Sequence, residues 1–233
     1  MTREQYALLE NCMRKCMRGC DGAHDAEHVY RVLGVGLDIV AHEPGADADV
    51  VVAACLLHDI GRREQLQNRK ICHAKAGAAK AEGFLKKNGF DEAFARHVAE
   101  CVRTHRFRKG DAPQTIEAKI VYDADKVDVC GATGIARTLF YQGKIGEPLY
   151  TLTPDGSISD GSADRAETFL GEYKYKLEGL CERLLTSRGR EIARERQAAA
   201  QAFYENMLWE VRASREKGRV LLERFLAAAS ERE

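Results

Sequence analysis

The chain has no CxxC pair, although eight cysteines occur among its 233 residues. Closely paired cysteines open the common zinc and dithiol motifs, so the cysteine count alone points to neither. No run of about eighteen apolar residues occurs, which excludes an ordinary transmembrane helix, and the first residues form no apolar signal core. An excess of one charge sign is missing as well: Lys plus Arg and Asp plus Glu stand at 36 each. No global basic field marks a nucleic-acid binder, and no acidic tail marks a solvating segment. Internal repeats, low-complexity tracts and a strong strand pattern are also absent. These absences predict a cytoplasmic protein with reduced thiols, no membrane partner and no strong nucleic-acid signal.

What is present reads as helix nearly throughout. Apolar residues make up 45% of the chain, and its length suffices to bury a core without disulfides. Thr2-Arg3-Glu4-Gln5 has capping-box form and opens a helix to about Arg18. Cys12, Cys16 and Cys20 recur every fourth residue on it, the spacing of one packing face. Asp25 is placed to cap a second helix, Asp47 or Asp49 a third, and Asp91 a fifth. Residues 61–72 read as a polar loop, and residues 143–163, with Pro148 and Pro154, as a long surface loop. Asp164 is placed to cap an eighth helix to about Thr186. A ninth helical pattern over 190–229 is long enough to break near Gly218 or to meet a partner, such as a second copy in a homodimer. The expected division is a main domain over 1–188 and a C-terminal long helix over 189–233.

His58-Asp59 ends the apolar run Val50-Val51-Val52-Ala53-Ala54-Cys55-Leu56-Leu57. Two metal-seeking side chains there are costly to bury unless something binds them. Gly61 follows and is placed to end the helix. Two further islands carry candidate ligands, His24-Asp25-Ala26-Glu27-His28 and Asp123-Ala124-Asp125-Lys126-Val127-Asp128. Imidazole with carboxylate suits manganese, iron, cobalt, nickel or zinc, and magnesium less well.

The order His, then His-Asp, then Asp resembles the HD-domain metal-dependent phosphohydrolase superfamily. Within it, the chain looks like the bacterial branch with an HDxxHxxRV opening, here His24 to Val32, and a DADxLDxxGAxGIART block, here Asp123 to Thr138. The resemblance implies an all-α helical bundle, here with a C-terminal helical extension, and assigns a divalent metal ion to His28, His58, Asp59 and Asp125. It implies hydrolysis of a phosphate ester or anhydride in a small phosphorylated metabolite or nucleotide, with a nucleoside triphosphate pyrophosphohydrolase favoured. Lys126 and Val127 depart from the arginine and leucine common in the third block, and Arg62 stands where an acidic residue is expected.

On this reading a metal-activated water attacks phosphorus, and cations hold the remaining phosphates. Arg31, Lys126, Arg62 and Arg106 are the substrate-binding candidates, with Arg63, Arg108 and Lys109 nearby. His105 is a candidate for phosphate contact or proton transfer. Asp128 is a second catalytic candidate, and Asp128 and Asp123 are both placed to orient ligands. His73 and His105 are candidates for a second metal. That leaves two rivals: a di-iron oxygenase on the same scaffold, and a nucleotide-binding module without catalysis.

Overall fold

Four side chains that the sequence offers as caps do cap. In the computed structural model, which describes residues 1–19, 25–107, 110–164 and 166–230, Thr2 forms a capping box with Gln5 at the start of α1 (Arg3–Met17). Asp25 accepts from the His28 amide at the start of α2 (Ala26–Val40). Asp47 does the same for α3 (Ala48–Leu57), and Asp91 for α6 (Glu92–Thr104). Each such cap is worth about 1 kcal/mol. Asp25 thereby fixes the turn that carries His28. Cys20, His24, Arg108 and Lys109 lie outside the described residues.

The remaining helices are α4 (Arg62–Gln67), α5 (His73–Lys87), α7 (Ile116–Val127), α8 (Gly131–Ile145), α9 (Phe169–Glu172) and α10 (Ser187–Ser230). The fold is all-α: among the described residues the only strand-like pairing is one isolated bridge between Leu152 and Ile158. α3 runs through the centre, packed by α1, α2, α6 and α7. Its residues from Ala53 to Leu57 are all buried, so it is apolar on every side rather than on one stripe. Cys12 and Cys16 pack half-buried against this core, as small apolar groups do.

Gly61 does not end α3 in a left-handed turn; its φ is −91°. Its role is proximity. A Cβ there would meet the His73 carbonyl oxygen at 2.3 Å and the Gly77 nitrogen at 2.5 Å. Only glycine lets the chain after α3 lie directly on the start of α5. The polar stretch after Gly61 is not all loop, because residues Arg62–Gln67 coil into α4.

The helix expected from Asp164 to Thr186 is broken. Asp164 accepts from the hydroxyls of Thr151, Ser159 and Thr168 instead of capping. Thr168 caps the short α9, and a π-helical turn over Tyr173–Leu177 and a 3-10 turn over Cys181–Arg183 follow. These turns bury Phe169, Leu170, Tyr173 and Leu177 against Ala200 and Tyr204 of α10. Tyr173 and Tyr204 stack with ring centroids 4.2 Å apart.

α10 runs unbroken through Gly218 for 44 residues. One exposed glycine costs a helix about 1 kcal/mol, too little to interrupt one this long. Ile192 and Ala193 join the main core. Asp123 ties the approach to α10: its carboxylate accepts from the Leu185 and Thr186 amides and from the Thr186 hydroxyl. Asp123 therefore faces away from the metal-seeking side chains. The far end of α10 carries Leu221, Leu222, Phe225 and Leu226, each more than half exposed. No described helix is long and apolar enough to cross a membrane.

A candidate metal centre

His58 and Asp59 leave the end of α3 at the point where α2, α5, α6 and α7 also contribute side chains. Two triads result, each with ligand atoms within 4.8 Å of one another. The first is His28, His58 and Asp125; the second is Asp59, His73 and His105. His28 Nε2 lies 3.2 Å from His58 Nε2 and 3.5 Å from Asp125 Oδ1. Asp59 stands between the triads. Its Oδ2 is 3.8 Å from the Nε2 atoms of both His28 and His58, and its Oδ1 is 3.2 Å from His73 Nε2 and 3.8 Å from His105 Nε2.

The hydrogen positions follow from the partners. His58 Nδ1 is 2.8 Å from the Cys55 carbonyl oxygen, and His105 Nδ1 is 2.6 Å from that of Val102. A carbonyl only accepts, so both Nδ1 atoms carry the hydrogen. His28 Nδ1 donates likewise to Asp128 Oδ2 at 2.7 Å, and His73 Nδ1 to Gln65 Oε1 at 2.6 Å. Each Nε2 is thus left as a lone pair pointing inward. Burial drives the His28 pKa below its ordinary value, that of His73 down to about 2 and that of His105 down to about 3. Burial raises the Asp59 carboxyl, and Arg62 leads the charges that outweigh it and hold it well below the usual range. For Asp125 burial is likewise outweighed, with Lys126 foremost. The cluster therefore presents acceptors and no donors. Asp59 Oδ1 is buried without a hydrogen-bond partner. Lone pairs crowded this closely in a dry interior repel one another unless a cation lies among them. Nitrogen and carboxylate oxygen in this mixture suit a divalent transition metal.

These shifts have a measurable consequence for the metal-free protein. Its unfolded histidines take up protons near pH 6.5, while the folded His28, His73 and His105 resist. The unfolded state binds more protons, so stability falls as pH drops below about 6.5, by about 1.4 kcal/mol per pH unit for each such group, until the folded values are reached. The thermal midpoint of chelator-treated protein should fall steeply from pH 7 to pH 5. A midpoint that held or rose would contradict the assigned neutral histidines.

The cations expected to meet substrate are partly engaged. Arg31 donates to Asp128 Oδ1 at 2.7 Å, Arg62 to Asp59 Oδ2 at 3.0 Å and Lys126 to Asp125 Oδ2 at 2.6 Å. Asp128 is fully buried and also accepts from Arg137 at 2.6 Å. It stands behind His28 as a carboxylate behind a ligating imidazole, rather than at the open side. A cavity of about 350 Å³ opens over His73, His105 and Asp125, with Arg62, Arg106 and Lys126 in its wall. Arg137, Lys176 and Arg183 line it too, together with the apolar Val129, Leu177 and Leu180. Sequence reasoning gave no role to Arg137, Lys176, Arg183 or Gln65. Arg137 stands inside the third block, nine residues after Asp128; nothing in the sequence marked the others.

Known proteins place this arrangement. The HD domain family matches residues 25–130, the stretch from the cap of α2 to the end of the Asp123–Asp128 block. The uncharacterized protein YpgQ of Bacillus subtilis is 29% identical over 197 residues, covering 83% of this chain and 87% of its own. Among solved structures, one described as a predicted HD superfamily hydrolase from an uncultured Thermotogales bacterium superposes with a TM-score of 0.61 at 28% identity, covering 87% of this chain and 90% of its own. The crystal structure of B. subtilis YpgQ in complex with ADP superposes with a TM-score of 0.69 at 23% identity, covering 89% of this chain and 95% of its own. Residues 25–130, whose His, His-Asp and Asp positions converge at the end of α3, match the HD domain, and the chain is similar to proteins of the HD superfamily.

Proposed function

We propose that the protein is a divalent-metal-dependent phosphohydrolase acting on a nucleotide, with a nucleoside triphosphate split to release pyrophosphate as the favoured reaction. The carrying observation is the acceptor-only cluster opening into a cavity walled by cations. A related structure described as a hydrolase, and another solved with ADP, support the reading.

His28, His58, Asp59 and Asp125 hold one ion, and Asp59, His73 and His105 have the geometry for a second. A divalent cation held there lowers the pKa of water and offsets charge developing on phosphoryl oxygens. Asp128 fixes the tautomer and direction of His28, and Arg31 and Arg137 hold Asp128 in turn. Arg62 and Lys126 already point charge at the ligand carboxylates and are placed to share it with an incoming phosphate. Arg106, Lys176 and Arg183 line the rest of the cavity and suit the remaining phosphates. His105 serves as a ligand in this arrangement, since its Nδ1 is committed to Val102 and its Nε2 faces Asp59.

The second triad also suits a pair of irons, so the test reads both chemistries. Purified protein loaded in turn with manganese, magnesium, cobalt, nickel, iron or zinc is offered a panel of nucleotides. Phosphate, pyrophosphate and oxygen are followed. Pyrophosphate release from nucleoside triphosphates is expected. Oxygen uptake by the iron form without phosphate release would replace hydrolysis by oxygenation, and binding with neither would leave a nucleotide-binding module.

A further inference from the structure

A side cavity of about 230 Å³ adjoins the metal cavity and shares Arg62, Val129, Arg137, Thr138, Glu172 and Lys176 with it. Its remaining walls are Tyr141, Gln142 and Glu167. Arg137, Thr138, Tyr141 and Gln142 form one face of α8, spaced i, i+1, i+4 and i+5. The first of them grips Asp128 behind His28, and the last lies at the end away from the centre. The helix face therefore leads from the metal centre into the side cavity.

Gln142 is 5% exposed. Its Nε2 donates to the Glu167 carbonyl oxygen at 2.9 Å, which fixes the orientation of the amide. Its Oε1 is consequently turned elsewhere and has no donor among the described residues. A buried amide oxygen without a donor is unfavourable and uncommon. Asp59 Oδ1 is in the same condition, and there the geometry calls for a cation. Glu167 and Glu172 also line this cavity, but among the described residues no group of three metal-ligating side chains stands around Gln142, and the missing group is an N–H or O–H.

We propose that the side cavity holds the nucleoside part of the substrate, with Gln142 Oε1 accepting a hydrogen bond from it. This rests on the nucleotide reading. The phosphates stay with the cations of the shared wall, and the organic part runs along α8. The donor is either an amine on the base or a hydroxyl on the ribose, the same chemistry from two sources.

Calorimetry on the full chain loaded with manganese tests this, with ADP and inorganic pyrophosphate as ligands. ADP should bind more tightly than pyrophosphate. Gln142→Leu should weaken ADP by about tenfold or more and pyrophosphate by less than about twofold. In the unaltered protein, one of inosine diphosphate, 2′-deoxy-ADP and 3′-deoxy-ADP should bind about tenfold more weakly than ADP, naming base or ribose as the donor. That loss should disappear in Gln142→Leu. If the variant does not fold, the analogue series on the unaltered protein decides. ADP no tighter than pyrophosphate, equal weakening of both ligands, or no loss with any analogue would overturn the subsite. Binding is read apart from turnover. A protein that binds in this pattern yet hydrolyses nothing would remove the phosphohydrolase reading alone, and one that hydrolyses nucleotides but prefers pyrophosphate would remove the subsite alone.

Discussion

Asp59→Ala should abolish metal binding and lower hydrolysis by more than about a hundredfold, while the far-ultraviolet dichroism stays near that of the unaltered protein. Among the described residues, Asp59 is the carboxylate with ion-pair contacts to both histidine pairs, with Oδ2 toward His28 and His58 and Oδ1 toward His73 and His105. Its removal leaves imidazoles alone, with Asp125 at one side. The fold has little reason to change, because the Asp59 side chain caps no helix and its backbone carbonyl still accepts from the Arg62 amide at 2.9 Å. Arg62 loses its partner at a partly exposed position, where water can replace it. Elemental analysis, pyrophosphate release and dichroism check the three parts. Activity equal to that of the unaltered protein would sink the metal-centre reading.

The second large effect concerns the number of ions. Two equivalents of metal per chain are expected, falling to one when His73 and His105 are both replaced by alanine, with hydrolysis reduced at least about tenfold. Both side chains are held in one neutral tautomer: His105 is fixed by the Val102 carbonyl and His73 by Gln65, and both present a bare Nε2 to Asp59 Oδ1. Neutral nitrogens beside an unpartnered carboxylate oxygen make a binding site for a cation and a poor place for anything else. Elemental analysis after dialysis reads the count directly. One equivalent in both proteins would confine the metal to His28, His58, Asp59 and Asp125.

The first triad was legible in the sequence because its residues stand in local patterns. His28 follows its own cap by three residues, and His58-Asp59 ends an unbroken apolar run whose alanines and helical neighbours favour a buried helix over a buried strand. The second triad was legible as candidates and not as a site. His73 and His105 are 32 residues apart, and their meeting at 3.3 Å depends on α5 and the end of α6 lying close, a tertiary fact. The bundle itself followed from caps and apolar spacing, which act locally. The stretch after Asp164 did not. Its apolar residues Phe169, Leu170, Tyr173 and Leu177 keep helical spacing, so a single helix was the reasonable expectation. The hydroxyls of Thr151 and Ser159, from outside that helix, and that of Thr168 claim Asp164, and stacking on Tyr204 is served by a π-helical turn. Lys176 and Arg183 reach the cavity through that irregular segment, so no periodic pattern pointed to them. Asp123 shows the opposite error: it stands in the ligand-bearing block, yet its lone pairs are spent on Leu185 and Thr186.

Gly61 carries a consequence for how many ions such a scaffold can hold. The contact between the turn after α3 and the start of α5 leaves no room for even a methyl group. A methyl there would push α5 outward and draw His73 away from Asp59, while His28, His58 and Asp125, carried on α2, α3 and α7, would keep their places. One carbon atom at this position is then a selector between a centre fed by three helices and one fed by five, and the metal count on Gly61→Ala reads the choice: about one ion, where two are expected of the unaltered chain.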